Sequence, residues 1–400
     1  MSQITEIFAK SDRFTLQLFF GAFAAFLLGN LTHSLAPIFV GALISGLNVP
    51  GTKAGLLVSV EFGGIALTAI LIGPLVARIS KRRLAVFGCT CALSAHVVST
   101  FVSSYDILIW IRFFAGLGTG TALAAGGAAV AMSVTPDRLF ALIKSLSALA
   151  MALILMLGGY SVKWFGISGG FGLLAIFFLL ALPLLFLLPG ESAVKKKETE
   201  RESMPAIGMG SLTIAGLLIW MGSSGLCFAF ATKIGEASGL DIQRAGLILG
   251  ISFLFGIGGG LVAAWLGLRA GRSLPLFAGI IVNAITWWLV CVVPHPLVYT
   301  VCITLNSIAY FFTLPYILGT AAALDRQGRW AAIASTLILA AMAVSPSIGG
   351  WIYEQFGISR LGVTTLAGEL VALGLLLIVV NKASFSGSAT ASPATSQSST

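Results

Sequence analysis

Along most of the chain apolar residues run for about twenty positions or more, and polar ones are confined to short breaks between the runs. A hydrocarbon core about 30 Å thick takes roughly 20 residues of helix per crossing, so each run reads as one transmembrane helix. Twelve runs are present, at roughly 14–43, 54–77, 84–103, 106–131, 138–162, 167–189, 208–234, 242–267, 274–293, 297–322, 331–353 and 359–381, named here spans 1 to 12. A β-barrel would also satisfy every backbone polar group in lipid, but it needs segments of about ten residues that alternate apolar and polar. The stretch FGLLAIFFLLALPLLFLL at 171–188 does not alternate. The expected class is an all-α integral membrane protein. The opening MSQITEIFAKSDRF puts mixed charge before a run too long for a signal-peptide core and shows no small-residue cleavage site, so span 1 is expected to remain.

Composition agrees, with 58% hydrophobic and 9% charged residues, far from the average of soluble domains. The charges are also unevenly placed. With the N-terminus inside, seventeen of the 23 Lys and Arg fall on one side, among them Arg78, Lys81, Arg82, Arg83, Lys195, Lys196, Lys197, Arg269 and Arg272. Short loops rich in Lys and Arg stay on the cytoplasmic side, so both termini are expected in the cytoplasm and the protein in the cytoplasmic (inner) membrane. The net charge of +9 follows from this asymmetry, with the lipid bilayer as partner and no nucleic acid required.

The longest polar break, GESAVKKKETERESMPAIG, falls near the middle and divides the chain. The expected organisation is an N-terminal six-helix bundle at 1–189, a cytoplasmic linker at 190–207, a C-terminal six-helix bundle at 208–381 and a disordered Ser/Thr/Ala-rich tail at 382–400. The halves repeat. Span 5 ends in GGYSVKWFG (Gly158 to Gly166) and span 11 in GGWIYEQFG (Gly349 to Gly357), an offset of 191 at which Arg138 also meets Arg329 and Met151 meets Met342. Six spans is an even number, so the two copies share one orientation and are related by a pseudo-two-fold axis.

Two parallel six-helix copies joined by a charged linker resemble the major facilitator superfamily. The loop after span 2, GPLVARISKRRL, is similar to that family's G-x-L-a-D-R-x-G-R-[KR] signature through Gly73, Leu75, Arg78, Arg82 and Arg83. It departs at Ala77, where the family has Asp, and at Ser80, where it has Gly. The resemblance implies a cytoplasmic gate built on these residues, with a weaker copy at Arg269, Gly271 and Arg272 and without the usual Asp latch. Span 4 adds RFFAGLGTG, with Arg112, Gly116, Gly118 and Gly120, similar to the family's R-x-x-x-G-x-G stretch. The G-P-x-x-G-G signature of the family's drug antiporters is absent from span 5, where Leu155 replaces the Pro, although span 11 reads SPSIGGW with Pro346.

Chemistry is sought where polar groups are expensive, since a charged side chain at mid-bilayer costs from roughly 2.5 to more than 10 kcal/mol. Glu61 in span 2 and Arg112 in span 4 lie at matching depth, about 10 Å below the outer boundary at 1.5 Å per residue. Glu61 reads either as a proton-coupling carboxylate or as a structural acid. Arg112 reads either as a clamp for an anion or as the counter-charge that holds spans 2 and 4 together. His33 in span 1 is a third titratable candidate, with Asn30 on the same face. Glu369, in span 12, is expected to be structural. The resemblance further implies that spans 1, 4, 7 and 10 line a central cavity. The candidates there are Asn30, Thr119, Trp220, Ser223, Ser224, Asn306, Tyr310, Thr313 and Tyr316.

No metal, cofactor or catalytic constellation is recognisable: H-E-x-x-H is missing, and His33, His96 and His295 are scattered. The expectation is not an enzyme. It is a secondary active transporter that works as a monomer by alternating access on a small organic solute, with an amphipathic or aromatic organic anion as the candidate and the proton gradient as energy source. Drug or metabolite efflux by proton antiport and uncoupled uniport are the alternatives. The glycine-dense stretches read as close helix packing, not as phosphate loops.

Overall fold

The computed structural model describes residues 2–76, 78–133, 136–190, 207–325 and 329–389. Ala77 of the signature loop, most of the linker (191–206) and the end of the tail (390–400) lie outside the described residues. Among these residues eleven helices follow one another: α1 (Ser2–Leu47), α2 (Gly51–Val76), α3 (Lys81–Ser99), α4 (Tyr105–Ala131), α5 (Pro136–Leu185), α6 (Ile207–Ala229), α7 (Ala231–Ala237), α8 (Ile242–Leu266), α9 (Ser273–Val292), α10 (Pro296–Ala323) and α11 (Arg329–Ala389). Among the described residues nine helices are long and apolar enough to cross a membrane, and no strand is present. Two of the nine, α5 and α11, are double. Each passes through a glycine with non-helical backbone, Gly166 at φ 63° and Gly357 at φ 81°, where an L side chain would be strained. Spans 5 and 6 are the limbs of α5, and spans 11 and 12 those of α11. With the 19-residue α3 as span 3, the fold accommodates all twelve crossings. The tail is shorter than composition suggests, because α11 carries helical backbone on to Ala389.

The two kinks stand 191 positions apart, the period of the sequence repeat, and the contacts between the halves obey the same period. On α2 a Cβ at Gly55 would overlap the carbonyl oxygen of Pro346 on α11. On α8 a Cβ at Gly246 would come 3.0 Å from the carbonyl oxygen of Leu155 on α5. Gly246 is the copy of Gly55, and Pro346 the copy of Leu155. Likewise Gly350 meets the backbone of Gly51, and its copy Gly159 meets that of Ile242 at 2.9 Å. Lipid tails are as apolar as leucine, so helices associate in membranes by such close backbone approach and by interhelical hydrogen bonds.

These contacts cluster at one end, the far face, opposite the basic loops. Polar ties reinforce them there. Lys163 on α5 donates to Gln243 at 2.6 Å and reaches Asp241 at 3.2 Å, the Thr52 amide donates to Glu354 at 2.9 Å, and Ser45 donates to Glu236 at 2.7 Å. Thr232 donates to the carbonyl of Pro37, and the Ser347 amide to Ser59 at 3.0 Å. The hydrophobic core reports the same asymmetry. One cluster runs through the N-terminal half and across into the far-face part of the C-terminal half, from Leu226 to Leu361. A second cluster, around Leu217, Trp220, Ile280 and Tyr316, belongs to the C-terminal half alone, toward the basic face. The halves are sealed at the far face and part toward the basic face, where Leu123 and Ala124 of α4 and Leu337 to Met342 of α11 are partly exposed.

Candidate functional site

Close packing of α4 on α2 sets the first polar cluster. Gly64 lies where a Cβ would come 2.6 Å from the Phe113 carbonyl, and a Cβ on Gly116 would overlap the Glu61 carbonyl oxygen. With the helices this close, Arg112, one turn before Gly116, reaches Glu61: Nη1 lies 3.6 Å from Oε1, both side chains being buried. The remaining guanidinium contacts turn away from the bundle centre. Nη1 is 3.0 Å from Nδ1 of His96, Nη2 donates to the Ala95 carbonyl at 3.0 Å and to Ser99 Oγ at 2.6 Å, and Cζ sits 4.6 Å above the Phe171 ring. Since arginine only donates, His96 accepts through Nδ1 and carries its proton on Nε2, next to Phe178 at 4.4 Å between ring centroids. These contacts tie α4 to α2 through Glu61 and to α3 through His96, Ala95 and Ser99. His96 was legible by the depth argument that paired Glu61 with Arg112, since it lies about two turns inside the outer end of span 3.

A central cavity of about 70 Å³ lies between the halves. His33, Ala36 and Phe62 line it from the N-terminal half, and Ser224, Phe228, Phe253, Trp287, Asn306, Ser307, Tyr310, Phe311, Ser345 and Pro346 are among its lining in the C-terminal half. No Lys, Arg, Asp or Glu is among its lining residues. His33 stands between Phe62 and Phe228, at 5.7 and 4.9 Å between ring centroids, with Nδ1 buried and unbonded.

Of the candidates read from the sequence, His33, Ser224, Asn306 and Tyr310 line the cavity, and the others do not. Asn30 donates to its own helix at Phe26, and Thr119 is buried within the N-terminal half. Trp220 stacks behind Tyr310 at 5.2 Å. Ser223 packs against Gly368 and Thr313 against Gly279, while Tyr316 donates to the Ala263 carbonyl at 3.4 Å. At the basic face Arg78 and Arg83 are exposed. Arg82 donates to the Leu188 carbonyl at 2.9 Å, within its own half. Arg269 lies over Trp265 at 5.3 Å, and Arg272 precedes α9. Gly73 lies on α2, in a stretch whose side chains are not described. None of these residues bridges the halves in the bonds described, which fits a gate that stands open.

Glu369 lies close to the cavity without lining it. It is fully buried on the second limb of α11 and accepts from Ser224 Oγ at 2.7 Å, so an acid on span 12 stands one side chain behind the cavity wall.

A family model described as Major Facilitator Superfamily matches residues 18–211. A curated relative named "Probable sugar efflux transporter", from Mannheimia succiniciproducens, is 25% identical over 270 residues, which cover 64% of this chain and 64% of the relative. The match therefore spans under two thirds of that protein. Among solved structures, the nucleoside transporter NupG superposes with a TM-score of 0.68 at 13% identity, covering 92% of this chain and 99% of that one. A D-xylose-proton symporter gives 0.64 at 16% identity, covering 92% and 97%. A bacterial homologue of the human lysosomal transporter Spinster, in an inward-facing and unoccupied conformation, gives 0.66 at 12% identity, covering 92% and 96%. At these identities the superpositions carry the fold alone.

Proposed function

The chain belongs to the major facilitator superfamily and is a multi-pass membrane transporter, not an enzyme; from that premise we propose that it carries a small uncharged organic solute, of the size and chemistry of a sugar, in exchange for protons. The observation that carries the proposal is the cavity lining, which joins aromatic faces to neutral hydrogen-bonding groups and holds no formal charge apart from what His33 can acquire. Aromatic rings suit the C–H faces of a polyhydroxylated ring, while Asn306, Ser224, Ser307 and His33 suit its hydroxyls. The relative named for sugar efflux supports the same class and suggests export. An organic anion would call for a cation in the cavity. Two cations lie nearby: the Arg112 guanidinium is engaged by Glu61, His96, Ser99 and Ala95, and Lys144 stands over the Phe26 and Phe140 rings, outside the cavity lining.

Sealed at the far face and open at the basic face, the molecule stands in the cytoplasm-facing state if the basic loops are cytoplasmic, as the positive-inside rule directs. Glu61 is the acid we assign to proton coupling in the N-terminal half, since a proton on it would release Arg112 from its counter-charge.

Purified protein in proteoliposomes tests the reading with radiolabelled glucose, xylose and lactose against benzoate, with and without a pH gradient. Exchange of at least one sugar, driven uphill by the gradient, is expected, and Glu61→Gln is expected to keep exchange and lose the driven component. Transport of benzoate without any sugar would overturn the solute class. A native protein indifferent to the gradient would overturn proton coupling.

A further inference from the structure

Four polar side chains form a chain from span 12 to the cavity inside the C-terminal half. Glu369 accepts from Ser224, Asn283 of α9 lies against both, and Asn306 of α10 lies beyond Asn283 with its amide nitrogen 3.1 Å from Thr286 Oγ1. Ser224 and Asn306 reach the cavity surface, whereas Glu369 and Asn283 are fully buried. No Lys, Arg or His is bonded to Glu369 among the described residues. The titratable groups that face it are Cys227 from α6, which hydrogen-bonds Thr365 at 3.1 Å on Glu369's own helix, and Cys291 from α9, 3.8 Å from Cys227. Tyr310 of α10 lies on the cavity side of this chain and donates to Met221.

The amide of Asn283 fits its place in either orientation, and each demands a different Glu369. With its nitrogen toward the acid, Asn283 donates to both carboxylate oxygens, and its own oxygen accepts from Asn306 Nδ2 at 3.2 Å. With its oxygen toward the acid, two acceptors meet, and only a proton on Glu369 joins them. The Asn283 nitrogen then turns to the Asn306 carbonyl at 3.5 Å, and Asn306 Nδ2 loses an acceptor. Burying an acceptor against an acceptor costs a lost hydrogen bond and a desolvated group, so the amide follows the proton.

We propose that Glu369 is a second proton-binding site of this transporter and that Asn283 turns its amide with that proton, coupling it to the solute cavity through Asn306. Protonated Glu369 donates to Asn283, and Asn306 Nδ2, no longer held by the Asn283 side chain, keeps only the Thr286 hydroxyl at 3.1 Å and the Asn283 backbone carbonyl at 3.3 Å, from which a solute hydroxyl draws one of its hydrogens. When the proton departs to water entering the cavity past Ser224, the amide reverses and Asn306 Nδ2 is drawn onto Asn283. The solute then loses a donor. The proposal uses the sugar-class reading only for the probe; the site itself does not depend on it.

Infrared difference spectra of the purified protein between acid and alkaline pH test the site directly. A protonated carboxylic C=O band is expected that disappears in Glu369→Gln and persists in Glu61→Gln, and a band untouched by Glu369→Gln would overturn the proposal. Ser224→Ala provides a second readout should the Gln variant fold poorly: loss of the 2.7 Å donor is expected to shift the band, and an unmoved band counts against the site. For the coupling, tryptophan fluorescence follows glucose binding against pH. Asn283→Leu is expected to keep the band yet flatten the pH dependence of the apparent Kd by about fivefold or more, the lower range of measured couplings. An unchanged pH dependence would break the relay. If glucose, xylose and lactose all fail to bind at any pH, the solute class falls, and the infrared result still decides the proton site.

Discussion

Replacing Gly55 by Ala adds one carbon at the place where the two halves close most tightly. Its Cβ would overlap the Pro346 carbonyl oxygen and lie 2.7 Å from the Pro346 carbonyl carbon and 3.3 Å from Ser347 Cα, where comfortable carbon contacts begin near 3.5 Å. All three atoms are backbone and cannot rotate aside, so α2 and α11 must separate. Overpacking of this kind costs about 1–3 kcal/mol. The cost falls on the state sealed at the far face and is absent where the helices have parted, so the equilibrium moves toward far-face opening by about 5- to 150-fold. Alanine is the better helix former by about 1 kcal/mol, which removes lost propensity as an explanation. The assay is alkylation of Ser307→Cys, a cavity position, by a membrane-impermeant maleimide added from the far side, with Cys91, the one exposed native thiol among the described residues, replaced by Ser. Gly55→Ala is expected to raise the rate within that range. Gly246→Ala, whose Cβ would come 3.0 Å from Leu155, should raise it less, and Gly63→Ala, with nothing within 4 Å, should leave it unchanged. Equal rates in Gly55→Ala and Gly63→Ala would refute the account of the seal.

Arg112→Met strands Glu61 in a site almost closed to solvent, a loss of about 3–5 kcal/mol in thermal or denaturant melts, and the double variant Glu61→Gln/Arg112→Met should recover most of it. At the far face the Asp241 carboxylate caps α8 by accepting from the Arg244 amide at 2.8 Å, a bond that holds the carboxyl below the usual aspartate range, and Lys163 adds to the effect. A depressed carboxyl contributes above its ordinary value, about 3.9, and the contribution is lost as pH falls through the lowered one. Thermal stability should therefore fall as pH drops below about 4, and Asp241→Asn should remove that step while keeping a competent helix cap. Gly357→Ala places a side chain at φ 81° and should cost about 1–2 kcal/mol of thermal stability; its copy Gly166→Ala at φ 63° should cost the same within about 1 kcal/mol.

What was legible in the sequence is what lipid imposes. Span length follows from bilayer thickness, and the glycines of GGYSVKWFG and GGWIYEQFG marked both the repeat and the two kinks, because a left-handed turn between long helices admits few residues other than glycine. The rotation of each span about its axis was harder to read. A soluble helix shows its buried face by contrast with water, but lipid and helix partner are equally apolar, so nothing in span 4 distinguishes an Arg112 aimed at the cavity from one aimed at α3. The same blindness covers Thr313, Tyr316 and Ser223, which share helices with cavity residues yet turn toward α9, Ala263 and Gly368. The link of Glu369 to the cavity through one hydroxyl, Ser224, was equally hidden, because span 12 carries no mark of which face meets span 7.

The seal and the chemistry follow different symmetries, and that difference bears on how transport acquires a direction. Gly55 against Pro346 and Gly246 against Leu155 are copies, as are Gly350 against Gly51 and Gly159 against Ile242. Paired contacts of equal kind give a seal that closes on both sides of the axis together. The two acids of the proposed proton sites have no such counterparts: at the period of 191, Glu61 meets Ser252, Arg112 meets Ile303, and Glu369 meets Phe178. Each half therefore carries its own acid in its own surroundings, an ion pair with Arg112 in the first and neutral amides and hydroxyls in the second. A proton on Glu61 removes a counter-charge, whereas a proton on Glu369 reorients an amide beside the solute. Two such sites cannot respond alike to one pH. A symmetric seal driven by unlike acids can thus be closed by one protonation event and loaded by another, as coupling of solute to proton requires.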